Sequence, residues 1–232
     1  TRLFPAEVRI FAVQINEMVT TVIFDLDGTL LDTIGDLAIS CNHILKKYGF
    51  PAHEVEAYKY FVGNGMAKLV HRALPEPAAN PDFEAVFLRE FISYYQQHQE
   101  DSTQPYDGIP EMLAALQTCE LELAVASNKI DASTKALTQK YFPEISFSAV
   151  YGQRETISPK PDPTIIHDIL NDLHKTPENT VMIGDSAVDM QTAKNAQLTA
   201  IGVLWGFRTE KELLENGADY IVAHPKEIPE LL

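Results

Sequence analysis

The rhythm of apolar and polar positions changes along the chain, and each change predicts a different kind of element. Residues 19–24 (VTTVIF) form a short run of β-branched and aromatic side chains, the pattern of a buried strand. Residues 33–48 (TIGDLAISCNHILKKY) place apolar side chains at helical spacing and stop at Gly49. Residues 54–74 read as two helices broken at Gly63-Asn64-Gly65, and after the Pro-rich PEPAANP a long amphipathic segment covers 82–99. The stretch 33–104 carries no strand pattern. From Tyr106 onward the two periods alternate: helix 109–118, strand 121–126 (LELAVA), helix 131–141, a short strand 149–152 (AVYG), helix 163–173, strand 180–184 (TVMIG), helix 186–196, strand 199–204 (TAIGVL), a short helix 210–215 and strand 219–222 (DYIV).

Strands alternating with helices predict an α/β fold, a doubly wound, mostly parallel sheet of the Rossmann-like kind with helices on both faces. The all-helical block lies between the first strand and the rest, so it reads as an inserted domain. The expected division is a core of 18–32 and 105–232 with a helical insertion at 33–104. Met18 stands directly before the first strand, and residues 1–17 read as an N-terminal extension not native to the domain. Internal repeats and low-complexity tracts are not seen.

Composition narrows the functional classes. With 232 residues, 45% hydrophobic and 22% charged, the chain can bury an ordinary core. A net charge of −15 argues against sequence-independent nucleic-acid binding and against adhesion to an anionic membrane. No run has the roughly 18 apolar residues of a membrane span. Two cysteines, Cys41 and Cys119, cannot form a disulfide framework; both read as small core residues of helices in a reducing compartment, the cytoplasm. The seven histidines lack metal-ligand spacing, so no zinc site is expected.

Ligands of open α/β sheets bind beyond the carboxyl ends of the strands. The first strand delivers Asp25, Asp27 and Gly28 there, LELAVA delivers Ser127-Asn128-Lys129, and TVMIG delivers Asp185-Ser186, with Asp189 four residues on. The loop Ser158-Pro-Lys-Pro-Asp-Pro163 carries Lys160 among three prolines that fix φ and remove backbone donors. Taken singly these residues have plainer readings: turn residues, helix caps, a solvated lysine. Asp25 and Asp27 are i and i+2 on a strand, hence on one face, where two charges ~4 Å apart repel by about 4 kcal/mol. A proton, a basic side chain or a metal must offset that repulsion. Together the set suits phosphoryl transfer: Asp25, Asp27 and Asp185 can hold a hard divalent cation, Mg2+ foremost, and the same ion would screen a phosphate from the carboxylate that attacks it. One Asp can then form an aspartyl phosphate, its neighbour can exchange the proton with the leaving alcohol and with water, and Ser127, Asn128 and Lys160 can bind the phosphoryl oxygens.

In order along the chain, Asp25-Leu-Asp-Gly-Thr29, Ser127-Asn128, Lys160 and Gly184-Asp-Ser-Ala-Val-Asp189 resemble the four motifs of the haloacid-dehalogenase-like hydrolases. The resemblance implies that Asp25 is the nucleophile and Asp27 the acid/base. It also implies that Asp25, the backbone carbonyl of Asp27 and Asp185 ligate the metal, with Asp189 a supporting carboxylate and Gly28, Ser127, Asn128 and Lys160 around the phosphate. Dehalogenase members lack the second Asp, so Asp27 points to phosphatase or phosphomutase chemistry. Phe61-Val-Gly-Asn-Gly-Met66, Gln104-Pro-Tyr-Asp-Gly108, Lys160-Pro-Asp-Pro163 and Gly202-Val-Leu-Trp-Gly-Phe207 are similar to phosphoglycolate phosphatases, whose helical cap falls where residues 33–104 lie. By that likeness Gly63, Asn64 and Gly65 are candidates for a cap loop that reaches a small phosphorylated metabolite, although a plain turn between helices explains them equally. Rival readings are a sugar phosphomutase resembling β-phosphoglucomutase, a pyrophosphatase or nucleotidase, and a noncatalytic protein that binds a phosphorylated ligand. Ser127 stands where many relatives have Thr, which keeps the hydroxyl. Trp205 is expected to pack at a strand end.

Overall fold

A computed structural model describes residues 19–232, so the predicted extension 1–17 and Met18 fall outside the described residues. In chain order the elements are β1 (Thr21–Phe24), β2 (Leu31–Asp32), α1 (Ile34–Lys47), α2 (Val55–Phe61), α3 (Met66–Ala73), α4 (Pro81–His98), β3 (Gln104–Pro105), α5 (Ile109–Thr118) and β4 (Glu122–Ile130). There follow α6 (Asp131–Tyr141), β5 (Phe147–Gln153), α7 (Thr164–Leu173), β6 (Thr180–Gly184), α8 (Ala187–Asn195), β7 (Thr199–Val203), α9 (Glu210–Glu215), β8 (Tyr220–Val222) and α10 (Ile228–Leu231). The main sheet has six strands in the order β5-β4-β1-β6-β7-β8, all parallel. It is the expected Rossmann-like α/β arrangement.

The period of two along β1 divides the core. Val22 and Phe24 pack on one face with Ile109, Met112, Leu113 and Leu116 of α5. Ile23 packs on the other with Ile165, Ile166 and Ile169 of α7 and Met190 and Ala193 of α8. Burial on both faces is why parallel strands read as continuous apolar runs rather than as alternation. Helices α1 to α4 have a core of their own, in which Leu37, Cys41 and Leu45 meet Tyr58, Leu69, Phe87, Phe91 and Tyr95. Asn80 starts α4 by accepting from the Phe83 N–H at 3.1 Å, ahead of Pro81, a residue suited to a first helical turn.

Several expectations need correction. A two-residue antiparallel ladder, Leu31 opposite Pro105 and Asp32 opposite Gln104, brackets the helical insertion, where no strand pattern was visible. Two residues are too few to show a period. The strand expected at 121–126 runs on to Ile130, with its register against β5 irregular after Ala126, and α6 starts at once with no loop between. The short α10 was not anticipated. Cys119 is exposed at the end of α5 and is not a core residue, whereas Cys41 is buried; both are free thiols.

The ladder sets the entry and exit of the insertion side by side, and Asp36 ties them together. Its carboxylate, buried in the first turn of α1, accepts from Ser102 N at 2.8 Å, Ser102 Oγ at 2.5 Å and Thr103 N at 2.9 Å. Hydrogen bonds to a charged group contribute more than neutral ones, and two backbone donors would be left without it. Asp36→Ala is therefore expected to cost about 2–4 kcal/mol in urea unfolding; a loss under about 0.5 kcal/mol, the range of an ordinary surface change, would show that this carboxylate does not join the two connections.

Candidate active site

Both neighbours of β1 deliver residues to its carboxyl end. Phe24 is in register with Val125 of β4 and Ile183 of β6, and Asp25 N–H donates to Ile183 O at 2.9 Å. Asp25, Ser127 and Asp185 therefore emerge together, where the chain order of the strands reverses.

Lys160 is the hub. Its ammonium, 1% exposed, donates to Asp25 Oδ1 at 2.9 Å, to Asp189 Oδ1 at 2.7 Å and to Ala126 O at 2.8 Å. Burial alone would favour the neutral amine, but Asp189 and Asp25 outweigh it and keep the charge. The backbone of Lys160 is held by Asn128, whose Oδ1 accepts from Lys160 N at 2.8 Å while Nδ2 donates to Lys160 O at 3.0 Å. Asn128 Nδ2 also donates to Gly63 O at 3.0 Å. Both amide hydrogens of Asn128 thus go to carbonyls, and its side chain, which also lines the cleft, positions Lys160. Ser127 is buried beside it, with Oγ accepting from Lys129 N at 3.2 Å.

Asp27 is set apart from Asp25 by a second lysine. Lys129 Nζ reaches both its oxygens, at 3.0 and 3.1 Å, and sits 4.7 Å from the ring centre of Tyr95 on α4. Burial pulls this ammonium toward neutrality, yet the Asp27 carboxylate overcomes it and the net shift is upward.

Asp185 is packed in on all sides. Oδ2 accepts from Phe207 N at 2.7 Å, and Oδ1 lies 3.4 Å from Thr29 Oγ1. A Cβ on Gly28, which has φ +88°, would stand 2.4 Å from Asp185 Oδ2, and one on Gly206 would stand 2.3 Å from both Asp185 Cβ and Gly28 O. Asp189 closes the first turn of α8 as a capping box: its Oδ2 accepts from Ser186 N at 3.1 Å and Ser186 Oγ at 2.6 Å, while Oδ1 is kept by Lys160. With both oxygens engaged, Asp189 supports the site rather than offering a free ligand atom.

Over these residues lies the helical insertion. Gly63 and Gly65 line the same cleft as Asp25, Asp27, Ser127 and Asp185, together with the apolar Leu37, Val62, Met66 and Leu69. Asn64 turns away, its Oδ1 accepting from Arg72 Nη2 at 2.8 Å.

Residues 22–203 match the model of the haloacid dehalogenase-like hydrolase family. The chain belongs to the haloacid dehalogenase-like hydrolases. It is 33% identical to a phosphoglycolate phosphatase of Chromobacterium violaceum, over 92% of this chain and 96% of that one. It is 32% identical to an N-acetylmuramic acid 6-phosphate phosphatase of Pseudomonas aeruginosa, over 91% and 93%. A crystal structure from Lactobacillus delbrueckii subsp. bulgaricus, provisionally assigned as a phosphoglycolate phosphatase, superposes with a TM-score of 0.87 at 30% identity, covering 93% of this chain and 99% of that one. The chain is thus a phosphoric monoester hydrolase of this family.

Phosphatases of the family use a divalent metal, and the donor set here fits one. Carboxylate oxygens of Asp25 and Asp185 lie within 4.8 Å of each other, in a cluster that Asp189 completes as a supporting carboxylate. Four buried or half-buried carboxylates, Asp25, Asp27, Asp185 and Asp189, outnumber the two ammoniums, Lys129 and Lys160, set among them. Asp25 is pushed up to about 7, first by burial and then by Asp189, against the pull of Lys160. Asp185 is pushed well up by burial, Asp189 and Asp25. Two carboxyls that resist ionisation in a dry site are what a dication of hard character relieves.

Lys129 and Arg208 are site residues to which the motif pattern gave no role. Lys129 directly follows Ser127-Asn128 at the end of an apolar strand, which was the available signal. Arg208, which lines the cleft and donates to Lys59 O and Val62 O, had none, since those acceptors are backbone carbonyls far off in sequence.

For a carboxyl raised in the folded state, stability is fully present below its unfolded pKa and is lost as pH rises through the folded value. The metal-free protein is therefore expected to lose thermal stability between about pH 4 and pH 7, and Asp25→Asn to flatten that fall. A divalent cation should raise Tm more at pH 8 than at pH 5; an equal shift at both, read by scanning calorimetry, would contradict the linkage.

Proposed function

We propose that this phosphatase hydrolyses a small phosphomonoester, with 2-phosphoglycolate the first candidate, through an aspartyl phosphate on Asp25 and with Mg2+ as its metal. The observation that carries the reading is the division of labour between the paired aspartates. Lys160 holds one oxygen of Asp25 and leaves the other for phosphorus, while Lys129 holds Asp27 as a separate group two residues away. The substrate name rests on likeness to phosphoglycolate phosphatases, and the relative named for N-acetylmuramic acid 6-phosphate, nearly as similar, is the specific alternative.

In this mechanism an Asp25 oxygen attacks phosphorus, the bond from phosphorus to the ester oxygen breaks, and a proton that Asp27 carries in the substrate complex passes to the departing alcohol, which leaves Asp27 as the carboxylate that Lys129 holds. Asp27 then takes a proton from water, whose oxygen attacks phosphorus; the bond to Asp25 breaks and inorganic phosphate leaves. Gly28, Ser127 and the backbone about Asn128 surround the phosphoryl oxygens, and the Lys160 ammonium, its hydrogens spent on Asp25, Asp189 and Ala126 O, acts on their charge through Asp25. Bound by Asp25, Asp185 and the Asp27 carbonyl, Mg2+ would supply positive charge against the phosphate and the attacking carboxylate. Residues 33–104 act as the cap of a core formed by 18–32 and 105–232, with Gly63 and Gly65 bringing backbone to the non-phosphate part of the substrate. The apolar wall of Leu37, Val62, Met66 and Leu69 excludes water. Among the described residues no helix is long and apolar enough to cross a membrane. Two free thiols suit a reducing compartment, and we place the enzyme in the cytoplasm.

The deciding experiment is phosphate release from a panel of small phosphomonoesters, including 2-phosphoglycolate and N-acetylmuramic acid 6-phosphate, with Mg2+ and with EDTA. Metal-dependent release with a clear preference for 2-phosphoglycolate is expected; preference for the amino sugar phosphate would transfer the substrate assignment. Isomer interconversion of a sugar phosphate with little free phosphate would replace hydrolysis by mutase chemistry. Asp25→Asn is expected to lower kcat by at least about 10³-fold with the fold intact by circular dichroism; turnover near the parent level would refute the nucleophile.

A further inference from the structure

The segment Trp205–Arg208 touches three parts of the site that are distant in sequence. Trp205 Nε1 donates to Thr29 O at 2.9 Å, in the turn that follows the aspartate pair. Gly206 runs so close to Asp185 and Gly28 O that a Cβ there would stand 2.3 Å from each. Phe207 N donates to Asp185 Oδ2 at 2.7 Å, and its ring packs against the apolar core of the cap.

Arg208 then grips the cap itself. Its guanidinium donates to Lys59 O and, at 3.0 Å, to Val62 O, carbonyls at and just past the end of α2. Nε faces Glu212 Oε1 at 3.1 Å, the plane lies 5.6 Å from the Tyr60 ring centre, and the side chain is 10% exposed. Carbonyls at a helix carboxyl end favour a cation, and a planar fork can serve two of them while a third edge meets a carboxylate. These bonds join the cap to the core. The residue whose backbone N–H fixes Asp185 directly precedes the one that makes them.

We infer that Trp205–Arg208 is a strap through which closure of the cap sets the metal-ligating carboxylate Asp185, with Arg208 as its positioning residue. The inference rests on the metal-dependent reading above. An arrangement that favours the metal when the cap is down must, by linkage, favour the closed cap when the metal is bound. The coupling then reaches a ligand that Arg208 does not touch by a hydrogen bond.

Trp205 is the only tryptophan in the chain and reports from within the strap. Mg2+ is titrated into the metal-free full-length protein, without substrate, and followed by calorimetry and by Trp205 emission. The parent is expected to bind Mg2+ with a change in emission. Arg208→Ala should weaken Mg2+ binding by roughly fivefold or more and diminish that change. Arg208→Lys keeps the charge but not the fork, so it should fall between the two. An unchanged Mg2+ affinity in Arg208→Ala overturns the strap, even where kcat/KM falls, because Arg208 would then act on substrate or cap alone. Should Arg208→Ala not fold, Arg208→Lys decides in the same way: weaker binding supports the strap, parent affinity overturns it. Failure of the parent itself to bind Mg2+ would remove the metal reading and the strap with it.

Discussion

The contact on which the site depends is the buried ammonium of Lys160 set between Asp25 and Asp189. Without it, carboxylates from two strand ends would crowd into a dry space with little to oppose their repulsion. Much of the surrounding structure serves to keep that ammonium in place. Asn128 clamps its backbone from both sides, Asp189 is itself fixed by a capping box, and Ala126 O receives the remaining proton. One lysine cannot neutralise the whole set, and the charge it leaves over is the reason a metal belongs there.

A second lysine gives the two aspartates of the first motif different surroundings. Asp25 is buried among like charges, while Asp27 is half-buried against Lys129 with the aromatic ring of Tyr95 behind. Separate environments suit the separate tasks proposed for them, one carboxylate to bond with phosphorus and the other to handle protons. The helical insertion contributes to this division, because Tyr95 belongs to α4 and not to the sheet.

Legibility in the sequence followed the kind of physics involved. Strands β1, β6 and β7 were readable because burial on both faces writes continuous apolar runs, and α2 and α3 because Gly63-Asn64-Gly65 interrupts a helical period. Asp25, Ser127 and Asp185 were legible because strand ends in an open α/β sheet converge, and Lys160 because three prolines stiffen the loop that carries it. The ladder of Leu31–Asp32 with Gln104–Pro105 was not, since two residues carry no period and the pairing spans the whole insertion. Asn128 was expected at the phosphate, yet its amide is spent on Lys160 and Gly63, a choice made by tertiary geometry alone. Arg208 was invisible for the same reason: main-chain acceptors have no residue type.

That two-residue ladder has a consequence for how such a protein can diversify. Because the chain leaves and re-enters the sheet on neighbouring paired strands, the helices between them hang from what is, to the sheet, a single closed stem. A longer, shorter or wholly different excursion could be grafted at that stem without altering the register of β1 or the spacing of its aspartates, since lengthening a loop whose ends are already joined adds little entropic penalty. The helical insertion and the sheet edge that carries the aspartates are thereby separable pieces of one chain.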